Sequence, residues 1–278
     1  MRPANFRLLR PASLGAALEL LQGSAQRSTV IMAGGQSLLK DLRERKISPQ
    51  RIVDLALLEE LRFIRPTDER IEIGALTTVA ELILNERLRH AIPALVNAAR
   101  TVGDRQIRNR ATIGGNLLSG WSSDLGVVAC AGRAEVVLIS VRGERTVSAS
   151  SLIADGCVAD EIIRTIVFPT SAHSTFEKLS RRHADPSLAS AAAFAWSGSD
   201  DIGLAIGGAH SHPIRLATVE RIIARDGIDS VAVSDALKKA ATDLSPPATP
   251  HGSAEYRRRI VPIIARRALE ALHAGGCA

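Results

Sequence analysis

Residues 33–40 read Ala-Gly-Gly-Gln-Ser-Leu-Leu-Lys, directly after the apolar run Thr29-Val30-Ile31-Met32. Residues 29–33 read as a buried strand and 38–45 as a helix, which places the glycine pair at a strand-to-helix turn. Such a pair is either only a sharp turn or a place where backbone N–H groups, unshielded by a Cβ, approach an anion. The helix N-terminus and the Ser37 hydroxyl add donors to the second reading. Another pair, in Thr112-Ile113-Gly114-Gly115-Asn116, follows a polar, basic loop and leaves the same two readings open; one pyrophosphate can sit between the two loops. Neither is G-x-G-x-x-G or G-x-x-x-x-G-K-S/T, so the usual dinucleotide and P-loop folds fail on spacing.

Working outward, Ser13 is placed to cap a helix through Leu14, Ala17, Leu18 and Leu21 that ends at Gly23; with Phe6-Arg7-Leu8 extended, this opens a strand, helix, strand series. Residues 51–55 are a further strand, and 70–75 alternate as a half-buried strand does. The spacing predicts helices over 78–84 and 88–102, a polar loop over 103–110, and strands over 135–140 and 161–168. Pro169-Thr170-Ser171 marks a boundary. Beyond it, 187–196 and 202–207 pair as a hairpin across Gly198-Ser199-Asp200-Asp201, and helices follow over 218–224, 230–241 and 253–273. Pro246, Pro247 and Pro250 form a stiff internal connection. Pro262 predicts a kink or break near Ile260, so that the last helix is really two.

With 278 residues and 46% hydrophobic content, the chain can build one large or two ordinary domains. No run of 18 apolar residues occurs and Met1-Arg2-Pro3 leads into no signal-peptide core, so neither a membrane span nor secretion is expected and the cytoplasm is the default. Cys130, Cys157 and Cys277 are far apart and form no CxxC pair, which argues against protein-bound zinc or iron–sulfur. The net charge of +6 is carried by scattered arginines, and one Tyr, five Phe and two Trp are too few for base stacking, so no nucleic acid is expected. His210 and His212 lie on a loop without a third ligand, and neither they nor His173 or His183 are assigned to metal. The Arg105, Arg108 and Arg110 loop is open to phosphate contact, partner docking or plain solvation.

Ordered matches run along nearly the whole chain: Phe6 with Arg10-Pro11-Ala12-Ser13-Leu14, then Ala33-Gly34-Gly35-Gln36-Ser37-Leu38, Ile73-Gly74-Ala75-Leu76-Thr77-Thr78, and Gln106-Ile107-Arg108-Asn109-Arg110-Ala111-Thr112-Ile113-Gly114-Gly115-Asn116-Leu117. Glu177-Lys178-Leu179-Ser180-Arg181-Arg182, Ala254-Glu255-Tyr256-Arg257-Arg258-Arg259 and Arg266-Arg267-Ala268-Leu269 complete them. In these the sequence resembles the FAD-binding medium subunit of the molybdenum hydroxylase family, the group of carbon monoxide dehydrogenase and xanthine dehydrogenase. The resemblance implies an α+β fold. A two-part, vanillyl-alcohol-oxidase-like (PCMH-type) FAD-binding domain would span 1–170, as a βαβ-like part (1–56) and a mixed-sheet part (57–170). A smaller C-terminal domain of antiparallel strands and helices would span 171–278.

It also implies a site. Met32, Ala33, Gly34, Gly35, Gln36, Ser37, Leu38, Val102, Thr112, Ile113, Gly114, Gly115, Asn116, Asp124 and Lys178 become FAD neighbours by position, with the two glycine loops on the pyrophosphate. Asp124 would bond a polar part of the cofactor and Lys178 lie near the flavin or its phosphates. The competing structural readings are a helix N-cap for Asp124 and a solvated strand residue for Lys178. No catalytic acid, base or nucleophile is assigned, because the flavin supplies the redox chemistry. The implied partners are a molybdenum-cofactor large subunit and a 2Fe-2S small subunit, in a heterotrimer or its dimer, with NAD or another electron acceptor. The segment from Leu117 to Asp124 departs from the family pattern by lacking a proline and one residue, and Lys40-Asp41 stands where members carry apolar residues or proline. An aromatic shield on the isoalloxazine would have to be Trp121, Phe176 or a partner residue, since the single tyrosine, Tyr256, lies in the tail. The rival reading is a diverged flavoprotein-like chain that uses FAD alone or serves as a non-redox binding or assembly protein.

Overall fold

Ser13 Oγ accepts the Ala16 N–H (3.2 Å) and so starts helix α1 (Leu14–Leu21), whose Leu14, Ala17, Leu18 and Leu21 share one buried face. The computed structural model describes residues 3–22, 28–67, 69–171 and 173–276, so Gly23, expected to end α1, lies outside the described residues. Strands β1 (Arg7–Leu9), β2 (Thr29–Met32) and β3 (Arg51–Asp54) form a parallel sheet in the order β1-β3-β2, with α1 and the six-residue α2 (Leu38–Arg43) as crossovers. Strand β2 is less buried than its apolar run predicts. Ile31 and Met32 are only half-buried because a cleft opens beside them.

A second sheet is antiparallel: β4 (Ile64–Pro66), β5 (Arg70–Gly74), β6 (Glu135–Ser140), β7 (Gly143–Ser148) and β8 (Ile162–Pro169), in the order β4-β5-β8-β6-β7. The two edge strands have no apolar alternation to announce them; β7 is exposed almost throughout. Thr78 and Glu81 form a capping box at α3 (Val79–Leu84). The single helix expected over 88–102 is two, α4 (Glu86–Ala91) and α5 (Pro93–Arg100). Pro93 takes the first position of α5, where a missing donor is harmless, and bars Ile92 from continuing α4. The loop expected over 103–110 holds a one-turn helix, α6 (Arg105–Arg108), because Asp104 Oδ1 accepts the Ile107 N–H (2.8 Å). The second glycine loop is itself a short helix, α7 (Ile113–Leu117), capped by Thr112. Helix α8 (Asp124–Ala131) is buried at every residue, and α9 (Ala149–Asp155) starts at Ser148.

The third sheet, β9 (His173–Leu179), β10 (Ala189–Ala195), β11 (Ile202–Gly207) and β12 (Ile214–Arg215), is antiparallel in the order β12-β11-β10-β9. It contains the expected hairpin, with Ala195 opposite Ile202 and Ser190 opposite Gly207. Helices α10 (Ala217–Asp226), α11 (Val231–Thr242) and α12 (Ala254–Gly276) complete the chain. Contrary to the expectation from Pro262, α12 is one uninterrupted helix. Its buried Ile260, Val261, Ile264, Ala265, Ala268 and Leu269 lie on both sides of the proline, and α12 packs on β9 and β10. This continuous apolar contact outweighs one lost backbone bond and the ring clash, together about 3 kcal/mol.

Helix α8 lies against the third sheet at two glycines. A Cβ on Gly203 would stand 2.0 Å from the Ala131 carbonyl oxygen, and one on Gly207 2.4 Å from Val127 Cγ2. Replacing Gly203 by alanine therefore pushes backbone against backbone and should lower stability by about 1–3 kcal/mol in urea unfolding. Gly275→Ala, on α12 with nothing near the added carbon, should be neutral or stabilising.

Candidate functional site

The two glycine loops touch through Gly34. A Cβ there would lie 1.9 Å from the Arg110 carbonyl oxygen and 3.0 Å from Ala111 Cα, so the missing side chain is what lets residues 33–35 rest on the backbone leading into α7. Gly35 then turns with φ +77°, in the left-handed region that favours glycine. Beside this contact runs a cleft of about 460 Å³. One wall is the first loop with Ile31 and Leu55; a second is the 101–103 turn with Ala111, Thr112 and the start of α7. Cys157, Glu161 and Ile163 close one side, and Asp124, Lys178 and residues 184–186 of the third-sheet region another.

The backbone donors differ between the loops. Among the described residues, the N–H groups of 34–38 have no protein acceptor, and Gln36 and Ser37 are exposed. The second loop does not offer the consecutive free amides expected of it. Ile113 N–H donates to Thr77 O (3.0 Å), Gly114 N–H to Ala75 O (3.0 Å), and Asn116 N–H to Thr112 O (2.9 Å). Gly115 N–H donates to the Thr112 hydroxyl (3.2 Å). Gly114 serves packing: a Cβ there would meet the Ala75 Cβ at 2.9 Å. Asn116 Oδ1 accepts the Leu125 N–H (3.1 Å), which fixes the amide flip and leaves Nδ2 as the side-chain donor.

All the residues expected beside the cofactor line this cleft except Ile113, which is fully buried in the core on the inner face of α7. Asp124 is not the N-cap of α8; Ser123 is, through its bond from Gly126 N–H (2.9 Å). Nor is Lys178 a solvated strand residue. Its ammonium, on β9, donates to Asp124 Oδ2 (2.9 Å) and Thr101 O (3.2 Å), and the paired side chains are 6% and 5% exposed. Ser187 Oγ donates to Asp124 Oδ1. The pair thus joins α8 to the third sheet at one side of the cleft, and among the described residues Lys178 is the only basic residue on its lining.

Ile107 of the arginine loop lines the cleft, but its arginines do not. Arg108 Nη1 donates to the carbonyls of Val102 (3.2 Å) and Gly103 (2.9 Å) and so fixes the 101–103 turn, while Arg105 and Arg110 are exposed. Trp121 and Phe176 are also off the lining, so no described residue there is aromatic. Sequence reasoning missed Cys157, Glu161, Ile163 and residues 184–186, which carry no glycine motif and arrive from distant segments. Glu161 is held by Arg145 (2.6 and 2.7 Å), which keeps its carboxyl below the usual range. Burial, reinforced by Glu161, pushes the Cys157 thiol up to about 11. Among the described residues no cluster of His, Cys, Asp or Glu is arranged for a metal, and no helix is long and apolar enough to cross a membrane.

The family described as the FAD-binding domain of molybdopterin dehydrogenases matches residues 4–171, and the carbon monoxide dehydrogenase flavoprotein C-terminal domain matches 174–272. The chain belongs to the FAD-binding medium subunits of the molybdenum hydroxylases. It is 34% identical to the glyceraldehyde dehydrogenase medium chain of Sulfolobus acidocaldarius, over 97% of this chain and 99% of that one. It is 30% identical to the carbon monoxide dehydrogenase medium chain of Hydrogenophaga pseudoflava, over 98% of each. The solved carbon monoxide dehydrogenase from H. pseudoflava that lacks the Mo-pyranopterin moiety superposes with a TM-score of 0.91 at 28% identity, covering 99% of both chains. The chain is accordingly an oxidoreductase subunit that takes FAD, and its relatives are subunits of multi-subunit dehydrogenases.

Two outcomes follow for the cleft. Asp124→Ala leaves a buried ammonium with one carbonyl, and should lower stability by about 3–5 kcal/mol in urea unfolding; adding Lys178→Met should restore much of it. The Cys157 thiol stays neutral until the pH nears 11. In a Cys277→Ala background its alkylation by iodoacetamide at pH 8 should be about 100-fold slower than that of free cysteine, rising with each pH unit.

Proposed function

We propose that the chain is the electron-exit subunit of a cytoplasmic molybdenum hydroxylase-type dehydrogenase, with bound FAD supplying the redox chemistry by which electrons from a partner's 2Fe-2S clusters pass to NAD or another acceptor. The partners are a molybdenum-cofactor large subunit and a 2Fe-2S small subunit. The observation that carries the reading is the run of unpaired amides over 34–38 beside a cleft that contains almost all the expected neighbours.

In this reading the amides of Gly34, Gly35, Gln36, Ser37 and Leu38 hold the pyrophosphate, since they are donors with no other acceptor. Thr112, Gly114, Gly115 and Asn116 shape the opposite wall, and Asn116 contributes Nδ2. Ala33, Met32 and Val102 provide apolar contact. Asp124 and Lys178 give a polar end, each held by the other in one orientation, so no reorganisation is needed when the ligand enters. Ile113 acts only as the core anchor that keeps α7 in place. The shortened segment before Asp124 is compatible with the site, because Asp124 reaches the cleft as the first residue of α8.

Calorimetric titration of the purified chain tests this. FAD should bind at about one per chain, with riboflavin, which lacks the phosphates, at least about 100-fold weaker. Isolated with its partner chains, the protein should release about one FAD per chain on denaturation, and its flavin absorbance should bleach when the complex's substrate is added. A colourless chain that takes up no FAD favours the rival role in binding or assembly.

A further inference from the structure

Arg257 is the largest fully buried side chain of the described residues, at 0% exposure, and it has no carboxylate partner among them. Its place on α12 is explained by neither the apolar packing of that helix nor the cofactor loops. The guanidinium instead gathers backbone from two distant segments, 187–188 and 208, together with the side chain of Thr249. Nη1 donates to Ser187 O (2.9 Å), Leu188 O (3.0 Å) and Gly208 O (2.6 Å), and Nη2 donates to Thr249 Oγ1 (3.0 Å). Its Cζ stands 5.1 Å from the centre of the Trp121 ring. Nε has no partner. Burial pulls the group's pKa down from the ordinary arginine value, as expected for a charge removed from water without a counter-ion.

One gathered segment, 187–188, and the turn that carries Trp121 continue directly into the cleft. Residues 184–186, just before Ser187, line it, and so do Ser119 and Ser122 on either side of Trp121. Ser187 also gives its hydroxyl to Asp124, which pairs with Lys178. The guanidinium therefore sits behind the polar end of the cleft and touches both pieces of chain that frame it. An apolar residue could fill the same volume, but it would leave three carbonyls converging on nothing.

We infer that Arg257 is a positioning residue for FAD binding, holding the 184–188 segment and the Trp121 turn so that Ser187 and Asp124 present the polar end of the cleft in one arrangement. This rests on the reading that FAD occupies the cleft. Because three acceptors converge on the single Nη1, a lysine ammonium can replace that nitrogen, losing only the Thr249 bond and the stacking on Trp121.

The test uses the full apo chain carrying Trp196→Phe, so that Trp121 is the only tryptophan, and measures FAD affinity together with Trp121 emission. Arg257→Met should weaken FAD binding about 30-fold and shift Trp121 emission, while Arg257→Lys should bind within about fivefold of the parent. Ser187→Ala alone should weaken binding, yet have little further effect when added to Arg257→Met, since the second change removes the same arrangement. If Arg257→Met does not fold, Arg257→Gln, which retains a donor without the charge, takes its place in the cycle. The inference is overturned if a folded Arg257→Met or Arg257→Gln chain binds FAD within twofold of the parent. It is equally overturned if the Ser187→Ala effect adds in full, or if lysine rescues nothing. A parent chain that takes up no FAD would instead overturn the reading of the cleft itself.

Discussion

The contact of Gly34 with the backbone of Arg110 and Ala111 is the constraint from which the site follows. Because no side chain separates them, the turn after β2 lies on the entrance to α7, and two segments remote in sequence become neighbouring walls. The division of labour between the glycine pairs is a consequence. In the second, the amides are satisfied internally, which makes α7 a firm shelf with Ile113 as its buried anchor. In the first, the amides of 34–38 have no protein acceptor among the described residues. A matched pair of loops would have been the simpler design, but only one of them is a set of donors.

The far end of the cleft depends on α8. Its complete burial between the third sheet and helices α5, α7 and α9, with Gly203 and Gly207 allowing close approach, fixes where Asp124 stands relative to β9. The Asp124–Lys178 pair then ties the two regions by charge as well as by packing. A buried ion pair of this kind contributes more to a single geometry than to net stability, because desolvation offsets most of its attraction. Arg257 extends the same logic from behind, with carbonyls in place of a carboxylate.

Much of this was legible in the sequence. The hairpin of β10 and β11 showed in two apolar runs flanking Gly198-Ser199-Asp200-Asp201, and the ordered motifs carried the family and the two glycine loops of the cleft, though not most of the side chains that line it. What was not legible depended on tertiary partners. Pro262 fits inside α12 because the sheet beneath supplies contacts on both sides of it. Pro93, by contrast, was a local signal, a proline that starts one helix by ending another. The free or satisfied state of the amides in the second loop depends on Thr77 and Ala75, and no spacing within the loop reports it. Edge strands such as β7 have no apolar face to read, and the cleft residues Glu161 and Asp185 are placed by strands that only the fold brings near.

The most direct measurement is FAD affinity in a Gly34→Ala chain, with Gly15→Ala as the control because its added carbon would have no atom closer than 4.0 Å. A methyl group at Gly34 must push the first loop off the Arg110 carbonyl. We expect FAD binding to weaken by at least about 100-fold while far-ultraviolet circular dichroism stays unchanged, and Gly15→Ala to bind as the parent does. Undiminished FAD affinity in a folded Gly34→Ala chain would contradict the account, since the walls of the cleft would then not depend on the contact that joins them.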